Sequence, residues 1–176
     1  MIQLRLLTPT DLPAAAAIQN AVYAPLYREN AEVLGSRLAV APACCWGAFE
    51  AGSLCAYILS HPWPAGSPPP IGRALSSAPA GGDNWFVHDL AIAPSARGLG
   101  LGRQLVGRAA RAARAQGLVR GDLVAVQGAH AFWARLGYAS PTSLHPALAA
   151  KVAAYGEDAR YMTVSLADLP QVVGRP

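Results

Sequence analysis

Lysine is almost missing from this chain: Lys151 stands alone against 13 arginines. The bias runs alongside 37 alanines and reads as compositional drift rather than function. Charge of either sign is scarce at 14%, while hydrophobic residues reach 53%, which excludes a disordered or solvating chain. Long apolar runs are absent too. The Ala-rich stretch from Leu12 to Ala24 is broken by Pro13, Gln19 and Asn20, so no membrane span is expected. The start Met1-Ile2-Gln3-Leu4-Arg5 alternates like a strand and has no basic region leading into an apolar segment and cleavage site, the pattern of a cytoplasmic protein. Three cysteines, Cys44, Cys45 and Cys55, cannot close a disulfide set and have no zinc-finger spacing around them. They read as small buried thiols on neighbouring strands, and no metal site is expected.

Acidic residues are missing from one segment in particular. Arg97, Arg103, Arg108, Arg111, Arg114 and Arg120 follow one another without an acid, although the net charge of the whole chain is only +4. The rest of the chain is slightly negative, so the positive field belongs to this segment, where an anionic ligand would meet it. A solvated helix face is the plainer reading of the same residues. The length of 176 residues suits one domain, set at residues 1–166 with a C-terminal tail at 167–176.

Alternation at Ile2, Leu4 and Leu6 predicts a strand ending at Thr8-Pro9. A helix to about Tyr23 follows, with Thr10 as cap and Pro13 in the first turn. Asn30 is the expected cap of a short helix from Ala31 to Ala41, ended by Pro42. Residues Cys44 to Glu50 and Leu54 to His61 flank Ala51-Gly52-Ser53 as a hairpin. Six of the 15 prolines fall between Pro62 and Asp83, so that stretch is a long loop, read as a flap over a ligand site, with a disordered insertion as the alternative. Beyond it come a strand from Trp85 to Ala93, a helix from Gly100 to Gln116 and a strand from Leu123 to Val126. A helix from Ala129 to Leu136, a strand near Tyr138, a helix from about Pro146 to Tyr155 and a strand from Arg160 to Leu166 complete the order. On the helix after Gly100, Leu105, Val106, Ala109, Ala112 and Ala113 share one face, with Arg103, Arg108, Arg111 and Arg114 opposite.

Between a strand and that helix lies Arg97-Gly98-Leu99-Gly100-Leu101-Gly102-Arg103. Glycines permit positive φ, and the first amides of a helix lack internal partners, so this turn can surround a phosphate. The dinucleotide fingerprint fails, because Arg103 and Leu105 stand where its last glycine belongs, and a Walker loop fails for want of Gly-Lys-Ser/Thr. The spacing Arg97-x-x-Gly100-x-Gly102 instead resembles the acyl-CoA pyrophosphate signature of the GNAT superfamily of N-acetyltransferases. Val87-His88-Asp89-Leu90-Ala91-Ile92-Ala93-Pro94 looks like that family's fourth strand, and Phe132-Trp133-Ala134-Arg135-Leu136-Gly137-Tyr138 is similar to the end of its fourth helix. The resemblance covers roughly residues 1 to 166. It implies an α/β (α+β) fold with a mixed, mostly antiparallel sheet, flanking helices and acyl-CoA bound between the fourth and fifth strands.

Carried over residue by residue, the resemblance implies acetyl-CoA as co-substrate. Backbone groups of Leu90 and Ile92 would bind the pantetheine arm, and the amides of Gly98, Leu99, Gly100, Leu101, Gly102 and Arg103, with the charge of Arg97, would bind the pyrophosphate. Phe132 and Arg135 would flank the nucleotide end. Amine acetylation also needs a route for the amine proton. Strict alternation places Phe86, His88, Leu90 and Ile92 on one face of the strand and Asp89 on the other. The family's acidic base aligns with Phe86, which cannot serve. His88 occupies a position like that of a histidine in arylalkylamine N-acetyltransferases, and an imidazole accepts protons at neutral pH. His88 is therefore the candidate base, with a structural histidine as the alternative and Asp89 as a second candidate. Trp133 stands where the family carries an acidic tyrosine, and Val126-Gln127-Gly128 where it often carries an asparagine.

The expected activity is acetyl transfer to a primary amine of a small molecule, by direct attack in a ternary complex, with Tyr23, Tyr27 and the Pro-rich loop shaping the acceptor pocket. The alternative is a catalytically weak CoA-binding or regulatory module of the same fold. Nucleic acid is not expected as a partner, because no basic patch interleaved with stacking aromatics is present. Whether two copies pair as a homodimer is not legible.

Overall fold

The computed structural model describes residues 1–77, 79 and 82–169. Most of the expected tail, 170–176, lies outside the described residues, as do three positions of the Pro-rich loop. Among the described residues six strands form one sheet in chain order: β1 (Ile2–Leu6), β2 (Trp46–Glu50), β3 (Ser53–Trp63), β4 (Asn84–Ile92), β5 (Arg120–Ala125) and β6 (Arg160–Ser165). Five α-helices among the described residues flank it: α1 (Leu12–Val22), α2 (Ala31–Val40), α3 (Leu101–Ala115), α4 (His130–Arg135) and α5 (Pro146–Ala153). All neighbouring strands are antiparallel except β4 and β5. This is the mixed, mostly antiparallel sheet expected from the sequence. Among the described residues no helix is long and apolar enough to cross a membrane.

Local chemistry explains most of the element ends. Ala51 and Gly52 both take positive φ, 48° and 83°, making the two-residue turn whose twist matches the β2–β3 hairpin. Asn30 caps α2, its side chain accepting from the Val33 amide at 2.9 Å. Thr10 does not cap α1. A short 3-10 turn intervenes, in which the Thr8 and Asp11 side chains form a capping box and Arg5 braces Asp11 at 2.8 Å. The stretch near Tyr138 is no strand either: Ala139 makes only an isolated bridge to Thr163.

Two apolar layers lie on opposite faces of the sheet. α3 sets Leu101, Leu105, Val106, Ala109 and Ala113 against Ala56, Ile58, Trp85 and Val87. Each fully buried leucine there contributes roughly 1.5–3 kcal/mol. On the other face Ala15 and Ile18 of α1 and Leu34 and Leu38 of α2 pack on Phe49, Tyr57, Leu59 and Ala91. The arginine side of α3 is only partly solvated. Arg103 and Arg111 are exposed, whereas Arg114 donates to the Leu166 carbonyl at 2.7 Å and Arg108 lies over the Trp46 ring. All three thiols are buried. Cys55 is on β3, but Cys44 and Cys45 precede β2 in a 3-10 turn and its cap rather than lying on a strand.

The strict alternation expected of β4 fails at His88. Leu59 pairs with Asp89 and Ser60 with Val87, so His88 is an extra residue with no partner on β3. This is a β-bulge, and it reverses the facing of everything beyond it. Trp85 and Val87 before the bulge, and Leu90 and Ile92 after it, pack with the α3 layer. Asp89 is bonded to Tyr57, and Ala91 lies in the α1–α2 layer. His88 contacts the loop between α1 and α2. His88 and Asp89, consecutive in sequence, thus face the same side, and Leu90 and Ile92 face away from both.

Candidate functional site

Only two residue pairs join β4 to β5, Trp85 with Gly121 and Phe86 with Asp122. Beyond them the strands diverge, and a cleft of about 310 Å³ opens between Val87–Ile92 on one side and Leu123–Gln127 on the other. A strand edge without a partner offers unpaired amides and carbonyls. Arg97, Ala129, Phe132 and Trp133 line one part of the cleft. Gln19, Tyr23, Tyr27, Glu29, Ile71 and Tyr155 also line it, together with His88 and Asp89. The closed end of the wedge is held by Asp122, which accepts from Asn84, from Tyr161 and from the Gly66 amide. Burial pushes the Asp122 carboxyl above its ordinary range, against those hydrogen bonds.

At the open end α3 begins on Gly100, which has φ +70° and lends no side-chain cap to the helix. Gly98 is also left-handed at φ +82°, and a Cβ on either glycine would meet nothing within 4 Å. The space beside these amides is therefore free, and the helix dipole adds partial positive charge there. Gly102 is different, since a Cβ would come within 3.0 Å of the Phe132 ring and 3.3 Å of Ile92. Its absence lets the helix start close against the strand. Arg97, Leu99 and Arg103 are exposed around the turn, and Leu101 is buried beneath it. Of the backbone groups expected to serve a pantetheine arm, the Leu90 carbonyl already accepts from the Tyr23 hydroxyl at 2.9 Å.

His88 meets a carboxylate that its sequence neighbourhood does not contain. Its Nε2 lies 2.5 Å from Glu29 Oε2, and both side chains are about 95% hidden. The other Glu29 oxygen accepts from the Gly72 amide of the Pro-rich loop at 2.7 Å and lies 4.0 Å from Arg37 Nη2. Burial alone would raise the Glu29 carboxyl, but the His88 hydrogen bond and charge, Gly72 and Arg37 outweigh it and hold the group below its ordinary value. Arg37 is fully buried, and burial lowers its pKa against the charge of Glu29. It donates to the Val33 and Arg73 carbonyls and to Ser36. His61, whose ring centroid is 6.2 Å from that of His88, is pushed down to about 3 by burial, with His88 adding to the effect.

Asp89, the second candidate base, is buried and bonded to the Tyr57 hydroxyl at 2.5 Å. Burial raises its carboxyl, while the Tyr57 hydrogen bond acts the other way. Trp133 lies on the cleft wall between Phe132 and Tyr138, packed edge-on against both. Phe132 reaches the cleft, whereas Arg135 is exposed. Gln127, in the segment without the expected asparagine, adopts φ +51° and binds the Ala24 amide at 2.7 Å, tying the end of α1 to β5. The Pro-rich loop reaches the cleft through Ile71 and is held down by the Tyr155 hydroxyl on the Pro69 carbonyl and by Leu75 on Ser36. Gln19, Glu29, Arg37 and Tyr155 are members of the site that sequence reasoning does not find. No motif marks them, and Asn30, a plain helix cap, is the only local signal beside Glu29. Among the described residues no group of three or more His, Cys, Asp or Glu side chains is arranged to hold a metal ion.

A diverging strand pair, a free left-handed glycine turn and two exposed arginines fit an extended ligand with amides in its arm and a pyrophosphate at its end. Comparisons with known proteins bear on the same region. The profile of the Acetyltransferase (GNAT) family matches residues 13–138. No curated protein sequence matches. Among solved structures, Ard1 from Thermoplasma volcanium superposes with a TM-score of 0.68 at 14% identity, covering 93% of this chain and 97% of that one. The PaiA N-acetyltransferase of Thermoplasma acidophilum, solved with coenzyme A, gives 0.65 at 13% identity over 94% and 99%. The ribosomal-protein-S18-alanine N-acetyltransferase of Escherichia coli gives 0.62 at 18% identity over 94% of each chain. At such identities the likeness is one of fold.

Proposed function

This chain belongs to the GNAT family of acetyltransferases, and from that premise we propose that it transfers an acetyl group from acetyl-CoA to a primary amine of a small molecule. The observation that carries the reading is the meeting of the β4–β5 wedge with the uncapped start of α3. Leu90 and Ile92 offer backbone groups to the pantetheine arm, and the amides from Gly98 to Arg103, with the Arg97 charge, take the pyrophosphate. Coenzyme A in the PaiA structure supports this choice of ligand.

In the ternary complex the amine nitrogen attacks the thioester carbonyl carbon, the C–S bond breaks and coenzyme A leaves as the thiolate. His88 takes the amine proton. A thiol with an ordinary pKa of about 8.5 leaves without a strong acid, so the indole of Trp133 is no obstacle. The space supports a small acceptor: Tyr27, Ile71 and Tyr155 border a cleft of about 310 Å³, which must also hold the acyl end of the co-substrate. The S18-alanine enzyme acts on a protein, so peptide acceptors belong in the test.

Purified protein is incubated with acetyl-CoA and a panel of small primary amines and short peptides, with free thiol followed over time and binding measured separately by thermal shift. Transfer to small amines that exceeds transfer to peptides, and that drops about 10²- to 10⁴-fold in His88→Ala with binding retained, is the expected result. Binding without transfer to any acceptor would favour the regulatory-module reading, for which Trp133 in place of a tyrosine speaks.

A further inference from the structure

We propose that Glu29 is the positioning residue of the acetyl transfer, fixing His88 in the tautomer that carries its proton on Nε2 and leaves Nδ1 to accept the proton of the amine. The inference rests on the reading of His88 as base and adds to it a group 59 positions away in the chain. An ionised carboxylate only accepts hydrogen bonds, so at 2.5 Å from Glu29 Oε2 the His88 Nε2 must be the donor. A neutral imidazole has one proton to place, and its Nδ1 is then a lone pair. That Nδ1 is buried and has no hydrogen-bond partner among the described residues. The side chains that cover it leave it without a partner, and an amine seated in the cleft that His88 lines reaches it once they move aside.

Glu29 is itself held from three directions. Gln19 clamps its backbone, the Gly72 amide binds Oε1, and Arg37 approaches the same oxygen. The carboxylate also faces the imidazolium that forms when the proton arrives, and offsets that charge in a buried setting. The other titratable groups around His88 are His61 on β3, Asp89 beside it on β4, Arg37 on α2, Tyr155 after α5, and Tyr23 and Tyr27 after α1. None of these is within hydrogen-bond distance of the ring among the described contacts. The Glu29–His88 contact is the one that sets the tautomer.

The test compares wild type with Glu29→Gln and Glu29→Asp in the full chain, with His88→Ala to assign the imidazole signals. Nitrogen-15 NMR of the histidine ring reads the tautomer without any acceptor, and steady-state acetyl transfer, resolved into kcat and KM, reads catalysis. Wild type is expected to show a protonated Nε2 and an unprotonated Nδ1. Glu29→Gln should lose that single tautomer and lower kcat about 10- to 100-fold with little change in KM for acetyl-CoA. Glu29→Asp, which keeps the charge and withdraws it by one methylene, should recover part of both. Since Gln19 holds the backbone of residue 29 and not its side chain, these variants keep the loop in place. A wild-type ring protonated on Nδ1, or a tautomer unchanged in Glu29→Gln, would overturn the proposal. Failure of every acceptor with the NMR result intact would instead remove the acetyl-transfer reading.

Discussion

Gln19 holds Glu29 at both ends of its peptide unit: the side-chain nitrogen donates to the Glu29 carbonyl and the side-chain oxygen accepts from the Glu29 amide, each at 2.9 Å. A helix residue thereby fixes a loop residue that in turn fixes His88. Gln19→Leu keeps the volume and removes both bonds, leaving two backbone groups without partners. It should lower the unfolding free energy by about 2 kcal/mol, measured by urea denaturation, and reduce acetyl transfer per folded molecule. Wild-type values for both would mean that the loop supports itself.

Gly100→Val should abolish the thermal shift given by acetyl-CoA. The residue sits at φ +70°, where a side chain costs roughly 1–2 kcal/mol and fills the space beside the helix amides. Gly117 offers the matched control, because it is left-handed at φ +82° just beyond the other end of α3 and equally open. Gly117→Val should cost similar stability and retain the full acetyl-CoA shift. Loss of binding in both variants would indicate damage to the helix rather than to a phosphate site.

Arg97→Gln and Arg103→Gln should weaken acetyl-CoA binding more at low than at high ionic strength, because exposed charges are screened over about 10 Å at 0.1 M salt. Arg111 is the proper comparison: it is exposed on the same helix, whereas Arg114 is committed to the Leu166 carbonyl. Titration calorimetry at two salt concentrations reads the difference. Equal losses at all three arginines would assign the attraction to the general field of the segment.

His61 should make stability fall in mild acid. Its pKa in the folded chain is pushed down to about 3, while an unfolded histidine titrates near 6.5, so between these values the unfolded state binds the extra proton. Stability should drop by about 1 kcal/mol for each pH unit below 6.5, and the loss should end near the folded value. His61→Phe should flatten the melting temperature between pH 6.5 and 4 relative to wild type. An unchanged slope would assign the acid sensitivity to other groups.

What the sequence disclosed was what short-range chemistry controls. Asn30 before an apolar run, Ala51-Gly52 between two alternating stretches and the glycines after β4 each act within a few residues, and each produced the expected cap, hairpin turn or helix start. The facing of β4 did not follow, because a bulge is decided by the register of the neighbouring strand. Alternation read along β4 alone put Asp89 opposite His88, and the unpaired His88 between Leu59 and Ser60 reversed that order. Glu29 was hidden for a related reason. Its meeting with His88 depends on the packing of α1 and α2 over the sheet and on a loop amide from Gly72, none of which leaves a local mark. The same holds for Arg37, a basic residue in the last turn of α2 that lies fully buried.

The parallel seam between β4 and β5 has a mechanical consequence. Two residue pairs carry the whole strand-to-strand connection between β1–β4 and the antiparallel β5–β6 pair, so the sheet resembles a zipper left mostly undone. A ligand lying along the open edges would supply the missing rungs and join the two parts. Amide exchange along β5 should then slow on acetyl-CoA binding while exchange in the β2–β3 hairpin stays constant, and the molecule would grow stiffer along the line where its co-substrate enters.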